Sequence, residues 1–363
     1  MVEAVKGATT WDDVRAFINF RVSKSKMTEL IKELTQKEGW DAETPLHIAA
    51  RKAPSFVVCL LLHHGADAAT IPDADGNLPL HSAARKNKDV RAVTTILRGN
   101  YKATETANRF GELPLHCAAQ HNVKAEVITY LLYAFAGGAS VADIHGNLPL
   151  HYAVKLNTPC SSIEKIKALL QAFSSAASIA NNEGDVPLHC AFSNFYVNYE
   201  DDAGYEESKG HDGTLKLLRA LIVADNVSAF IANDRGNLPL HCAAAISNNA
   251  EEIKYLLDAY PEAIYTKNKE GRLPLSYAAY SNINVEVTQV LLEAYPDALL
   301  VADDEDLTPL HIALSKRNGE VAKFLIKALP KSSVTMKTIG TFENVNYKVL
   351  ALNDVIMHMI FYL

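Results

Sequence analysis

The chain is poor in cysteine. Five are scattered through 363 residues, an odd number with no Cys-x-x-Cys pair. That excludes a disulfide framework and predicts a reduced, intracellular protein, cytoplasmic or nuclear. No run of 18 or more apolar residues occurs, so no membrane-spanning helix is expected. The first residues, MVEAVKGATTWDDVRAF, lack an apolar core and carry early acids, which argues against a secretory signal. There is no surplus of positive charge: the formal net charge is −7, which disfavours nucleic acid and anionic membranes as partners. Phosphate-cradling and nucleophile-elbow glycine motifs (P-loop, G-x-G-x-x-G, G-x-S-x-G) are missing as well. What remains is an ordinary soluble composition, 48% hydrophobic and 21% charged.

Against these absences stands a repetition. GNLPLH occurs at residues 76–81, 146–151 and 236–241. A looser pattern, Pro-Leu-(His/Ser)-x-Ala, places Pro at 45, 79, 114, 149, 187, 239, 274 and 309. The steps are 34, 35, 35, 38, 52, 35 and 35, so one unit recurs eight times with an interruption in the fifth. Glycine precedes most of these prolines by three residues, as Gly76, Gly111, Gly146, Gly184, Gly236 and Gly271; Asp306 is the exception. Six residues before Pro sits Asp or Asn: Asp73, Asn108, Asp143, Asn181, Asn233, Asn268 and Asp303. Gly supplies a turn with positive φ, Asp or Asn bonds its own turn backbone, and Pro opens a helix. The recurrent alanine, Ala49 through Ala313, permits close stacking of those helices. A second helix follows, with apolar residues three and four apart, as in Val57, Leu60 and Leu61 or Ile253, Leu256 and Leu257. AYPEA (259–263) and AYPDA (294–298) read as its stop.

This pattern resembles the ankyrin repeat, a β-turn followed by two helices with Thr-Pro-Leu-His-x-Ala at its start. The resemblance covers about residues 41–335 and implies an all-α repeat solenoid with short hairpin fingers. Only the first and last units keep the Thr, at Thr44 and Thr308. In the family that Thr caps the first helix and pairs with the His. Here Leu78, Leu113, Leu148, Val186, Leu238 and Leu273 replace it. Losing the cap costs about 1 kcal/mol. Burying a leucine against a neighbour returns roughly 1.5–3 kcal/mol. Residues 1–40 read as an N-terminal helical cap or a degenerate repeat, with a helix over 9–20, a partner over 25–39, and Trp11 lying 34 residues before Pro45. Residues 336–363 read as a C-terminal capping helix, with Val349, Leu352, Ile356, Met359 and Leu363 on one face.

Seven of the thirteen histidines fall on the repeat position: His47, His81, His116, His151, His189, His241 and His311. They read as a structural hydrogen-bonding ladder rather than metal ligands or bases. Adjacent His-Cys pairs at 116–117, 189–190 and 241–242 point about 100° apart on a helix, unsuited to nucleophilic catalysis. No catalytic residue, cofactor or metal is expected, and the chain reads as a monomeric, non-enzymatic scaffold or adaptor for a protein partner. The other reading is a targeting or regulatory region of a larger enzyme, channel or ubiquitin-ligase adaptor.

The resemblance places binding on the fingertips and the concave face of the first helices. The tips would carry Ala74, Asp75, Arg109, Phe110, Ile144, His145, Asn182, Glu183, Asp234, Arg235, Lys269 and Glu270. Arg109, Phe110, Ile144 and His145 are the strongest candidates, because aromatic and Arg anchors dominate interfaces. A basic stripe follows the early first helices: Arg51, Lys52, Arg85, Lys86, Lys88, Lys124 and Lys155. Part of it answers helix dipoles; the rest favours an acidic partner segment. An insertion at about 194–213 holds six acids, one lysine, and Tyr196, Tyr199 and Tyr205 as further anchors. It binds, masks or decorates.

Overall fold

The computed structural model describes residues 43–121, 124–155, 163–192, 211–281 and 284–329. The expected N-terminal cap, the expected C-terminal helix, and Tyr196, Tyr199 and Tyr205 lie outside these. Among the described residues there are sixteen α-helices and no strand, the all-α repeat architecture expected. They form two compact units divided between Asn182 and Glu183.

In the first unit the helix pairs are α1 (Pro45–Lys52) with α2 (Ser55–His64), α3 (Pro79–Lys86) with α4 (Val90–Gly99), α5 (Pro114–His121) with α6 (Ala125–Ala134), and α7 (Pro149–Ala153) with α8 (Ile163–Ala172). The second unit holds α9 (Pro187–Cys190) with α10 (His211–Ala224), α11 (Pro239–Ile246) with α12 (Ala250–Ala259), α13 (Pro274–Ser281) with α14 (Val285–Ala294), and α15 (Pro309–Ser315) with α16 (Gly319–Ala328). Helix α10 starts at His211, so the last three residues assigned to the insertion are helical. The stop signals act as read: α12 ends at Ala259 and α14 at Ala294. Pro261 and Pro296 then open short 3-10 turns, Pro261–Tyr265 and Pro296–Leu300, that lead back to the next hairpin.

Within each unit first helices stack on first helices. The repeated alanine lies at every such contact, with Ala83, Ala118, Ala243, Ala278 and Ala313 all at 0% exposure. A methyl group is the largest side chain that lets two helices approach at the short end of the usual 8–10 Å.

Seven of the eight first helices begin with the same construction. Leu78 is extended (φ −80°, ψ 161°), Pro79 takes the first helical position, and His81 follows at the third. The His81 backbone N–H bonds to the Leu78 carbonyl at 2.8 Å. In return the Leu78 N–H donates to His81 Nδ1 at 3.0 Å. The same ring acceptor serves Thr44, Leu113, Leu148, Val186, Leu238 and Thr308 through their own histidines, at 3.0–3.2 Å. Because a backbone N–H can only donate, Nδ1 must be the bare nitrogen and Nε2 carries the proton. That proton goes to a carbonyl of the following repeat. In the first unit His47 reaches Asn77 O (2.8 Å), His81 reaches Glu112 O (3.0 Å) and His116 reaches Asn147 O (3.2 Å). In the second, His189 reaches Asn237 O (2.8 Å) and His241 reaches Arg272 O (3.2 Å).

The histidine thus satisfies the helix start by itself, which explains why Thr is dispensable. Where Thr remains, its hydroxyl lies 2.8 Å (Thr44) or 2.9 Å (Thr308) from the same Nδ1. Elsewhere Leu78, Leu113, Leu148, Val186, Leu238 and Leu273 are all buried, the exchange of cap for apolar area read from sequence. In the seventh repeat Ser276 holds the place of the ring, and a serine side chain is too short to span to the next turn.

Burial holds His47, His81, His116, His189, His241 and His311 below the ordinary histidine range, His81 and His241 at about 4. Their folded-state pKa lies below the unfolded value, so the unfolded chain binds the extra proton. Stability is therefore full above about pH 6.5 and falls as pH drops from there toward 4, by up to roughly 3 kcal/mol for one such ring. Urea unfolding monitored by circular dichroism should give a midpoint that is flat above pH 7 and declines steadily between pH 6.5 and 5. His81→Gln should flatten that decline while lowering stability at pH 7.5.

Candidate functional site

The hairpin tips are held from within. Asn108 Oδ1 accepts the backbone N–H groups of Phe110 and Glu112, both at 2.9 Å. Asp143 Oδ1 does the same for His145 and Asn147, both at 2.8 Å. Successive tips also join through the backbone: Arg109 N–H to Asp75 O at 2.9 Å, Ile144 N–H to Phe110 O at 3.1 Å. The turn glycines are required twice over. Gly111 has φ +74°, and a Cβ there would sit 2.8 Å from Ile144 N.

GNLPLH owes its asparagine to a second ladder that sequence reasoning missed. The main-chain carbonyls of Asn77, Asn147 and Asn237 receive the imidazole N–H groups of the preceding repeats. Their Oδ1 atoms accept Nδ2–H of Asn108 (2.8 Å), Asn181 (2.9 Å) and Asn268 (2.8 Å) from the following ones. The signal was present: an Asn four residues after the turn Asp or Asn, facing an Asn one period later. Between Asp143 and Glu112 such a bond is impossible, since both are carboxylates. There the Tyr152 hydroxyl donates to Asp143 Oδ2 at 2.5 Å, and Asn108 Nδ2 donates to Glu112 Oε2 at 2.9 Å.

On this fixed frame Phe110 and Ile144 stand out on neighbouring tips, 45% and 56% exposed, with Arg109 and His145 exposed beside them. The basic residues form a separate row at the far end of the first helices. Eight residues of helix, about 12 Å, separate the two rows in the α3 repeat. The row itself is heterogeneous. Arg51, Lys52, Arg85 and Lys86 lie in the last turns of α1 and α3, where a cation suits the helix dipole. Arg51 pairs with Glu43, and Arg85 Nη2 lies 3.5 Å from Glu112 Oε2. Lys155 Nζ sits 4.9 Å over the Tyr152 ring. Lys88 and Lys124 differ: both are exposed, and both stand at the start of a second helix. Lys88 precedes Asp89, the N-cap of α4, and Lys124 is the N-cap of α6. A cation there opposes the dipole, so helix-end electrostatics do not account for these two.

The His-Cys pairs have no nucleophile geometry. Both ring nitrogens of His116 are committed, to Leu113 N–H and to Asn147 O, leaving no base for Cys117. Burial pushes the Cys117 thiol up to about 11 and the Cys242 thiol to about 12. Among the described residues no group of three or more His, Cys, Asp or Glu could hold a metal ion, and no helix is long and apolar enough to cross a membrane.

A family model for ankyrin repeats (3 copies) matches residues 20–106, 80–174, 208–302 and 265–338. The chain belongs to the ankyrin-repeat family, whose members generally mediate protein–protein interaction. No curated protein matches the chain.

Two measurements check this framework. Gly111→Ala should lower stability by at least about 2 kcal/mol, from a left-handed alanine and the clash with the next tip. Asp306 sits at φ 60° without a glycine, so Asp306→Gly should raise stability by up to about 1 kcal/mol in the same denaturation assay. In a chain lacking Cys59 (exposed), Cys160 and the half-buried Cys242, a thiol reagent at pH 7.5 should modify Cys117 and Cys190 only as fast as the protein opens. Rapid labelling of one of them in native buffer would revive a catalytic reading.

Proposed function

We propose that the chain is a non-enzymatic interaction scaffold, and that the first unit grips an acidic protein segment carrying an apolar anchor. The observation that carries this is the pair Phe110 and Ile144. They are large apolar side chains held in solvent on tips whose backbone is fixed by side-chain, glycine and inter-tip bonds. An anchor on a rigid support loses little conformational entropy on binding, which is how a few residues come to dominate affinity. Arg109 and His145 beside them offer donors to carboxylates. Lys88 and Lys124 add positive charge where the helices themselves disfavour it, which supports an acidic partner.

Affinity capture from native lysate, quantified by mass spectrometry, tests the reading. Phe110→Ala with Ile144→Ala should deplete a defined set of proteins by about 10- to 30-fold, the loss of one or two interface anchors. Lys88→Glu with Lys124→Glu should deplete the same set, and more so at low salt. Glu320→Ala with Lys323→Ala, on the outer face of α16, should leave it unchanged. A capture profile identical across all three variants, with melting temperatures preserved, would remove the first unit from partner binding.

A further inference from the structure

The return segments of the second unit carry a feature the repeat does not require. In two of them the residue that closes the 3-10 turn packs against the residue that follows the next second helix. Phe230 stacks on Tyr260 with ring centroids 4.7 Å apart, and Tyr265 on Tyr295 at 4.7 Å, edge to face. Leu300 continues the row. Phe230, Tyr265 and Leu300 remain 41%, 58% and 43% exposed. In the first unit the same positions hold Thr70, Glu105, Ser140 and Ser178. Polar side chains therefore close this turn equally well, and the aromatic edge belongs to the second unit alone.

Its border is acidic. Asp258, Glu262, Glu293 and Asp297 are all exposed, at the ends of α12 and α14 and in the turns that follow. Glu293 also lines a groove of about 650 Å³ between α12 and α14, together with Glu251, Glu286 and Gln289. Lys254 lines the same groove, whose charged side chains are thus three carboxylates to one ammonium. Lys254 is held above its usual range, first by its 2.7 Å hydrogen bond to Glu251, then by the charges of Glu251, Glu293 and Glu286. Lys267, two residues beyond Tyr265, donates to Ala302 O at 3.0 Å. An anionic lipid surface would be repelled from such a border. A guanidinium would be drawn to it and could lie on the tyrosine faces, an arrangement worth more than either attraction alone.

We propose that this edge, from Phe230 to Leu300, is a second docking surface, and that its occupant is a basic partner segment in which arginines alternate with apolar residues. The apolar residues cover Phe230 and Leu300, and the arginines meet the tyrosine faces, the acidic border and the groove. The residues of this edge belong to the return turns of the second unit and none to a tip, so the proposal does not depend on the interface assigned to the first unit.

The test uses the full chain and a short fluorescent peptide of alternating arginine and leucine, read by polarisation at near-physiological salt. Saturable binding is expected. Phe230→Ser, Tyr265→Ser and Leu300→Ser together should weaken it by at least about 10-fold, as should Glu262→Lys with Asp297→Lys. The serine variant carries what the first unit tolerates at these positions, and its melting temperature confirms folding. Phe110→Ala with Ile144→Ala should bind as the parent does, which separates this surface from the tips. A charge-matched lysine–serine peptide should bind at least about 10-fold more weakly. Equal binding of the two peptides, unchanged binding in the serine or charge-reversed variant, or no binding of the arginine–leucine peptide would each overturn the proposal. So would self-association, or sedimentation with phosphatidylserine vesicles, that the serine variant abolishes, because the edge would then serve a second copy or a membrane.

Discussion

In seven of the eight described repeats one imidazole joins two things the fold must satisfy together. Its bare nitrogen caps the N–H that opens its own helix, and its N–H fills a carbonyl of the next repeat. A first helix of eight residues or fewer is too short to stand on its own hydrogen bonds. It is stable because its start is capped and its alanine face lies against the neighbouring helix. The histidine performs the first task and registers the second. Most of what recurs in the sequence follows: Pro at the first helical position, the apolar residue before it, and the alanine two positions after the histidine. The proton stays on Nε2 because the partner of Nδ1 can only donate, and desolvation keeps the ring neutral.

The hairpins depend on that register. Once the imidazole has placed the next turn, the asparagine ladder and the backbone bonds between tips fall within reach. Glycine becomes obligatory there because the next backbone occupies the space of a Cβ. Asp306 marks the exception with a reason: it is the last such turn among the described residues, and no described turn follows to crowd it. A left-handed aspartate is tolerable where a second constraint is absent.

A scaffold fixed this thoroughly leaves few positions that the repeat itself does not dictate, and those positions differ between the units. The first unit places Phe110 and Ile144 on its tips and two lysines against the helix dipole. The second closes its return turns with Phe230, Tyr265 and Leu300 where polar residues would suffice. In each case the informative residue is one that the helix dipole or the closing of the turn does not require. Arg51 and Arg85 fail that criterion, since dipole and carboxylate partners already explain them.

Sequence alone determined the period, the helix pairs, the role of glycine and the structural character of the seven histidines. Each of these is a local requirement that must be written again in every repeat. The exchange of Thr for Leu was legible for the same reason, because it recurs at one register position. Tertiary structure alone decided what depends on distances across repeats. The second asparagine ladder needs two turns one period apart to face each other. The aromatic edge needs the fifth residue of one turn to meet the start of the next. The sorting of Arg85 from Lys124 needs the helix ends in place. Spacing along the chain records which residues recur, but only packing sets which of them touch and which are left facing water.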